Sequence, residues 1–291
     1  MERGRWRMVL EFWFERKSVL PSALEIFSQA ILFVSLAVAG TFLVGVGQAQ
    51  WSFLFLVGLP SIPFLLKVFQ CEVEVEESKG KAMGAGILSR HYLAIKVLAA
   101  FFLGLVVAFS FWYSVLPAND AKSLFGLQQE ELKNIRNSFQ GYALAGEQVF
   151  ESIFTHNLAV LLFIVLFSVV YGAGAIFILI WNASVIGVFL VEFARLYAEN
   201  SGTITTGATG GLLAGLGTGF LGILPHGIFE LLSYLTAAMA GGILSSAVVR
   251  GDFRKPIFMH IVYDIAKLLG WAIVFLAFGA FIESYPSFSF T

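Results

Sequence analysis

The chain has 291 residues, 58% of them hydrophobic and 13% charged, with 31 phenylalanines and a mean hydropathy of +0.84. A soluble domain averages about 25% charged residues, so this composition excludes an ordinary soluble protein and predicts an all-α polytopic integral membrane protein. The net charge of −1 points to no nucleic-acid partner, and one cysteine, Cys71, excludes an intrachain disulfide or a cysteine-rich metal site.

Residues 1–24 set Arg3, Arg5, Arg7, Arg16 and Lys17 among aromatic residues without a cleavable signal pattern. They read equally as an interfacial amphipathic helix with snorkelling basic groups or as a plain positively charged flank. The N-terminal membrane part, 25–117, begins with an apolar span over 25–46. Residues 51–69 return as a second span, kinked by Pro60 and Pro63. A polar stretch follows, with Glu72, Glu74, Glu76 and Glu77 and then Lys79, Lys81 and Arg90; 70–93 reads as a charged cytoplasmic loop or helix end, with a divalent-ion site the weaker reading of its glutamates. The third span, 94–116, ends in an aromatic belt, Phe111-Trp112-Tyr113, and Pro117 stops it.

Residues 118–156 form the longest polar insert, too short to bury a core of its own. Leu124, Leu127, Leu132 and Ile135 predict one short amphipathic helix, and Phe150, Ile153 and Phe154 a second leading into the next span. A cap lying on the membrane, on the extracytoplasmic side, is the expected form. The C-terminal membrane core, 157–291, opens with a span over 157–181 that ends at Trp181-Asn182. Residues 183–198 are apolar but short and carry Glu192 and Arg195, so a partial or re-entrant segment is expected there.

The most informative stretch is 207–230. Gly207, Gly211, Gly215 and Gly219 recur every four residues, which aligns them on one helix face and lets a neighbouring helix approach closely. That partner is either within the chain or a second copy in a homodimer. Pro225 and Gly227 then predict a helix break, and 228–249 a further span. His226 and Glu230 lie four apart, on one face, in oily surroundings where ionisable groups are costly. Arg250, Arg254 and Lys255 make a basic loop before the last span, 264–282. Placing every basic loop in the cytoplasm gives a cytoplasmic N-terminus, about seven transmembrane helices plus the partial segment, and a C-terminus outside.

These residues carry a resemblance. Phe154…His156-Asn157, Gly172-Ala-Gly174, Asn182…Gly187, Pro225-His226-Gly227-Ile-Phe-Glu230 and Ala240-Gly241-Gly242 resemble stage II sporulation protein M, most closely over 150–250. Lys67…Glu72 and Phe111-Trp112-Tyr113…Leu116-Pro117 are similar to the archaeal branch of that family. The bacterial pattern often has two asparagines at His156-Asn157 and asparagine-glycine at Asn182-Ala183. The resemblance implies a multi-spanning membrane protein; in spore-forming bacteria, members help assemble wall-degrading enzymes at the engulfing membrane. An archaeal-type protein lacks that wall substrate, so the sporulation role is not carried over.

The expected functional polar cluster is His226, Glu230, Asn157 and Asn182, with His226 reaching Asn157 or Asn182 and Glu230 tying down the turn after Pro225. Two ligands make no zinc site, and no nucleophile elbow or zincin motif is present, so no catalytic residue, metal or cofactor is expected. Three function classes stay open: a non-enzymatic scaffold or assembly factor, a permease or lipid-handling protein, and an intramembrane enzyme. The expected partners are the lipid bilayer, a second copy, and membrane or extracytoplasmic proteins.

Overall fold

A computed structural model describes residues 22–45, 49–79, 91–140, 146–171, 174–200, 208–249, 251–256 and 258–284. These residues form α1 (Ala23–Val44), α2 (Ala49–Lys79), α3 (Tyr92–Val115), α4 (Ala118–Gln140), α5 (Gly146–Tyr171), α6 (Gly174–Asn200), α7 (Ala208–Val249), a 3-10 turn (Asp252–Arg254) and α8 (Phe258–Ser284), with no strand among them. Six helices (α1, α3, α5, α6, α7 and α8) are long and apolar enough to cross a membrane, and Gln50–Leu65 within α2 is a shorter apolar stretch. The protein is therefore an all-α polytopic membrane protein.

The expected boundaries shift in four places. The expected span over 157–181 divides, with 157–171 in α5 and 174–181 opening α6, so residues 183–198 are not a partial segment but the second half of α6, a 27-residue helix in which Asn182 is internal. The expected break at Pro225 and Gly227 is absent, because α7 runs unbroken for 42 residues with Pro225 inside it. Proline removes one backbone donor, a loss that a packed membrane helix tolerates when its neighbours hold both sides of the site. Two expected segments thus become one span and a partial one becomes whole, so the total returns to six helices and a shorter seventh. Residues 71–79, read as a loop or helix end, continue α2. The insert holds one helix over 118–140, while Phe150, Ile153 and Phe154 already belong to α5.

At 1.5 Å per residue α7 is about 63 Å long, about twice the hydrocarbon thickness of a bilayer. It therefore has room for several partners along its length. Its first half packs on α6, and its second half packs on α5 and α8. On the other side of α6, α3 packs against both α6 and α1.

Glycines set these approaches. A Cβ on Gly104 of α3 would lie 2.6 Å from the Phe27 carbonyl oxygen of α1, and one on Gly187 of α6 would lie 2.8 Å from Phe109 Cβ of α3. One on Gly215 of α7 would lie 2.7 Å from Ala194 Cα of α6. Of the four aligned glycines, Gly215 and Gly219 face Ala194 and Phe193 of α6, Gly211 is buried, and Gly207 lies outside the described residues. This part of the glycine face is taken up within the chain. Gly215→Leu should therefore force α6 and α7 apart and lower the stability of the detergent-solubilised protein by about 1–3 kcal/mol or more. Gly217→Leu, at a position with nothing within 4 Å, should leave the thermal midpoint nearly unchanged; equal midpoints for the two variants would contradict the packing described.

Helix α4 packs across one end of the bundle. Its buried face is Ala121, Leu124, Phe125 and Gln128, while Lys122, Glu130, Lys133 and Asn134 are exposed. The Gln128 amide donates to Ser184 Oγ of α6 (3.0 Å), and the Gln129 amide to Tyr113 Oη of α3 (2.6 Å). The expected aromatic belt divides accordingly. Phe111 is 56% exposed, Trp112 donates to Ser35 Oγ of α1 (3.1 Å), and Tyr113 is only 1% exposed.

Candidate functional site

Three helices bring polar groups together inside the bundle. Asn157 lies in the interior of α5, not at a helix edge. Its side-chain amide donates to Glu230 Oε1 of α7 (2.6 Å), and its carbonyl oxygen accepts from Tyr234 Oη one turn further along α7 (2.8 Å). Glu230 and Tyr234 are four residues apart, so one asparagine spans a full turn of α7 and uses its donor and acceptor ends on different partners. From α8, Gly279 packs onto this turn: a Cβ there would come within 3.0 Å of Glu230 Cγ and 3.3 Å of the His226 carbonyl oxygen.

The four expected residues do not form one cluster. Asn157 and Glu230 meet, but it is Glu230, not His226, that reaches across to α5. The His226 side chain is half-buried and makes no hydrogen bond with a described residue. Asn182 does not join the cluster. Its amide donates to the Ile178 carbonyl four residues back in α6 (2.8 Å), a local bond that leaves it on another face of the bundle. Tyr234 is the member that sequence reasoning missed. Tyr234 was detectable, because it follows Glu230 at helical spacing.

A second polar knot lies where α3, α4 and α6 meet. Tyr113 Oη donates to Glu192, and the Arg195 guanidinium lies 3.4 Å from the same carboxylate and 5.1 Å above the Tyr113 ring. With the bond from Gln129 to Tyr113, this knot seats α4. Glu192 and Arg195, read as the mark of an incomplete span, are thus compensated by one another and by Tyr113.

A third feature is a groove of about 260 Å³ between α4, α5 and α6, lined by Glu131, Ile135, His156, Val160, Phe163, Phe167, Ile178, Trp181, Asn182 and Val185. Neither His226 nor Glu230 lines it. Among the described residues no three His, Cys, Asp or Glu side chains converge as a metal site would need.

An all-helical bundle with buried polar ties between its spans defines the class as a polytopic membrane protein. Residues 97–287 match the family model of stage II sporulation protein M, and the chain belongs to that family. It is also 31% identical over 139 residues to an uncharacterized protein of Methanocaldococcus jannaschii, a match covering 47% of this chain and 69% of that protein. No solved structure matches the chain.

Asn157→Leu should leave Glu230 and Tyr234 without their shared partner at a cost of about 1–3 kcal/mol, because each orphaned group keeps its desolvation penalty. A double-mutant cycle with Tyr234→Phe, followed by thermal unfolding in one detergent, should give a coupling of about 0.5–3 kcal/mol. Strict additivity would mean that the Asn157–Tyr234 bond carries no stability. Tyr113→Phe should free Gln129 and Glu192 together and speed amide exchange in α4 more than in α7; equal changes in both helices would refute α4's dependence on this knot.

Proposed function

We propose that this protein is a non-enzymatic membrane scaffold, with α4 as the platform it presents to a partner. The reading rests on one observation: α4 is seated on the bundle end through the amides of Gln128 and Gln129, with its polar face outward. No spanning helix requires such an element, and fixing it rigidly suits a surface that must be held in a defined orientation. The interior agrees with this. Asn157, Glu230 and Tyr234 are joined in hydrogen bonds between helices, as in a structural tie, and the groove does not reach His226.

In this reading α4 lies on the extracytoplasmic side and the N-terminus is cytoplasmic. Arg254 and Lys255 beside the turn at Asp252–Arg254 lie at the end of the bundle away from α4, where positively charged loops favour the cytoplasm. The partner is a membrane or extracytoplasmic protein that docks on the face carrying Glu130, Lys133 and Asn134.

The test separates a scaffold from a transporter. Vesicles containing the purified protein should show no more proton or cation flux than protein-free vesicles. A photo-crosslinker at position 133 should capture one discrete protein in the native membrane, and the same probe at the lipid-facing position 162 should not. Protein-dependent flux that Glu230→Gln abolishes would overturn the scaffold reading in favour of an ion or proton pathway.

A further inference from the structure

The groove between α4, α5 and α6 borders the docking face proposed for α4, with Glu131 next to Glu130, but Glu130, Lys133, Asn134 and the members of the Asn157 tie do not line it. Most of its lining is apolar and aromatic: Val160, Phe163 and Phe167 from α5 and Ile178 and Trp181 from α6. Phe163 is 52% and Phe167 38% exposed, and both lie on a membrane-spanning helix beside the exposed Leu162 and Leu166, so the groove opens sideways toward lipid. Its lining changes along its length. Where α5 and α6 approach their short connection, Phe167 and Ile178 make it apolar; nearer α4 it carries Glu131 and His156. Glu131 is half-buried and makes no hydrogen bond or ion pair with a described residue. Elsewhere in the membrane part of the bundle, Glu230 and Glu192 each have a polar partner.

A carboxylate at the polar end of an apolar groove matches an amphiphile that has a cationic head and an aliphatic tail. We propose that the groove binds a single membrane lipid whose headgroup carries an ammonium. The ammonium pairs with the Glu131 carboxylate beside the His156 ring, and the first part of one chain lies along Val160, Phe163 and Phe167. The volume of about 260 Å³ is slightly below the range of about 300–1,000 Å³ seen for pockets that enclose a whole ligand. It therefore takes the head-proximal part of a chain and leaves the rest in the bilayer. The apolar contacts supply retention, and the charge-assisted hydrogen bond at Glu131 supplies headgroup choice.

The full chain, reconstituted in nanodiscs of equimolar dioleoyl phosphatidylethanolamine and dioleoyl phosphatidylglycerol, is released in a native mass spectrometer and its retained lipids are identified. One lipid per chain is expected, with the amine headgroup enriched about tenfold over the glycerol headgroup, the discrimination expected of one charge-assisted bond. Glu131→Gln, which preserves shape, should bring that ratio close to one while the lipid is still retained. Glu131→Lys should reverse the preference. Val160→Trp, which fills the groove, should remove retention of both lipids. Thermal unfolding of each variant verifies the fold, and the Gln and Lys substitutions, at a half-buried surface position, leave the bundle intact. Lipids retained in the bulk ratio by the wild type, a preference unchanged in Glu131→Gln, or retention that survives Val160→Trp would each overturn the proposal. None of these outcomes bears on partner docking at position 133, so the lipid site and the scaffold reading stand or fall separately.

Discussion

The fold depends on how closely helix backbones approach one another where the hydrophobic effect no longer drives them together. In a bilayer the lipid tails are as apolar as leucine, so helices associate through packing and hydrogen bonds. In this protein α1 meets α3 at Gly104, α3 meets α6 at Gly187, α6 meets α7 at Gly215, and α7 meets α8 at Gly279. These contacts form a chain across the bundle, each one a place where backbone or Cβ atoms touch the space that a side chain would fill. The polar ties depend on them. Asn157 can reach both Glu230 and Tyr234 because α5 lies close to α7, with Gly241 packed on Ser168 three turns away.

The polar groups divide between two tasks. The Asn157 tie joins α5 to α7 under the cover of α8, and the Tyr113 knot joins α3 to α6 and α4. Both place carboxylates inside a membrane bundle, and each supplies a neutral donor, an asparagine amide or a tyrosine hydroxyl. The costs of desolvation are thereby partly offset without a full buried ion pair. His226 and Asn182 belong to neither assembly.

The class of fold was legible in the sequence because runs of about 20 apolar residues have few structural outcomes. The helix ends were less so. Pro225 and Asn182 read as boundaries because proline and asparagine disfavour helix interiors in water. Within the bundle α7 continues past Pro225, and Asn182 satisfies its amide on its own helix. For the site, the face holding Glu230 followed from helical spacing; Tyr234, one turn further along the same face, was missed although that spacing reaches it. The pairing with Asn157 did not follow, since the rotation of α5 against α7 is set by contacts such as Gly241 on Ser168, distant in sequence from both residues.

The seat of α4 also constrains how the chain is built. Residues 118–140 leave the ribosome before residues 174–200, yet the Gln128 side-chain nitrogen donates to Ser184 and the Tyr113 hydroxyl to Glu192, both on α6. Until α6 enters the membrane, α4 has only α2 and α3 to rest on, and its buried glutamine has no partner. Helix α4 is therefore synthesised in the middle of the chain but docks late, after α5 and α6 have inserted as a hairpin. A nascent chain arrested before residue 184 should hold α4 loosely at the membrane surface.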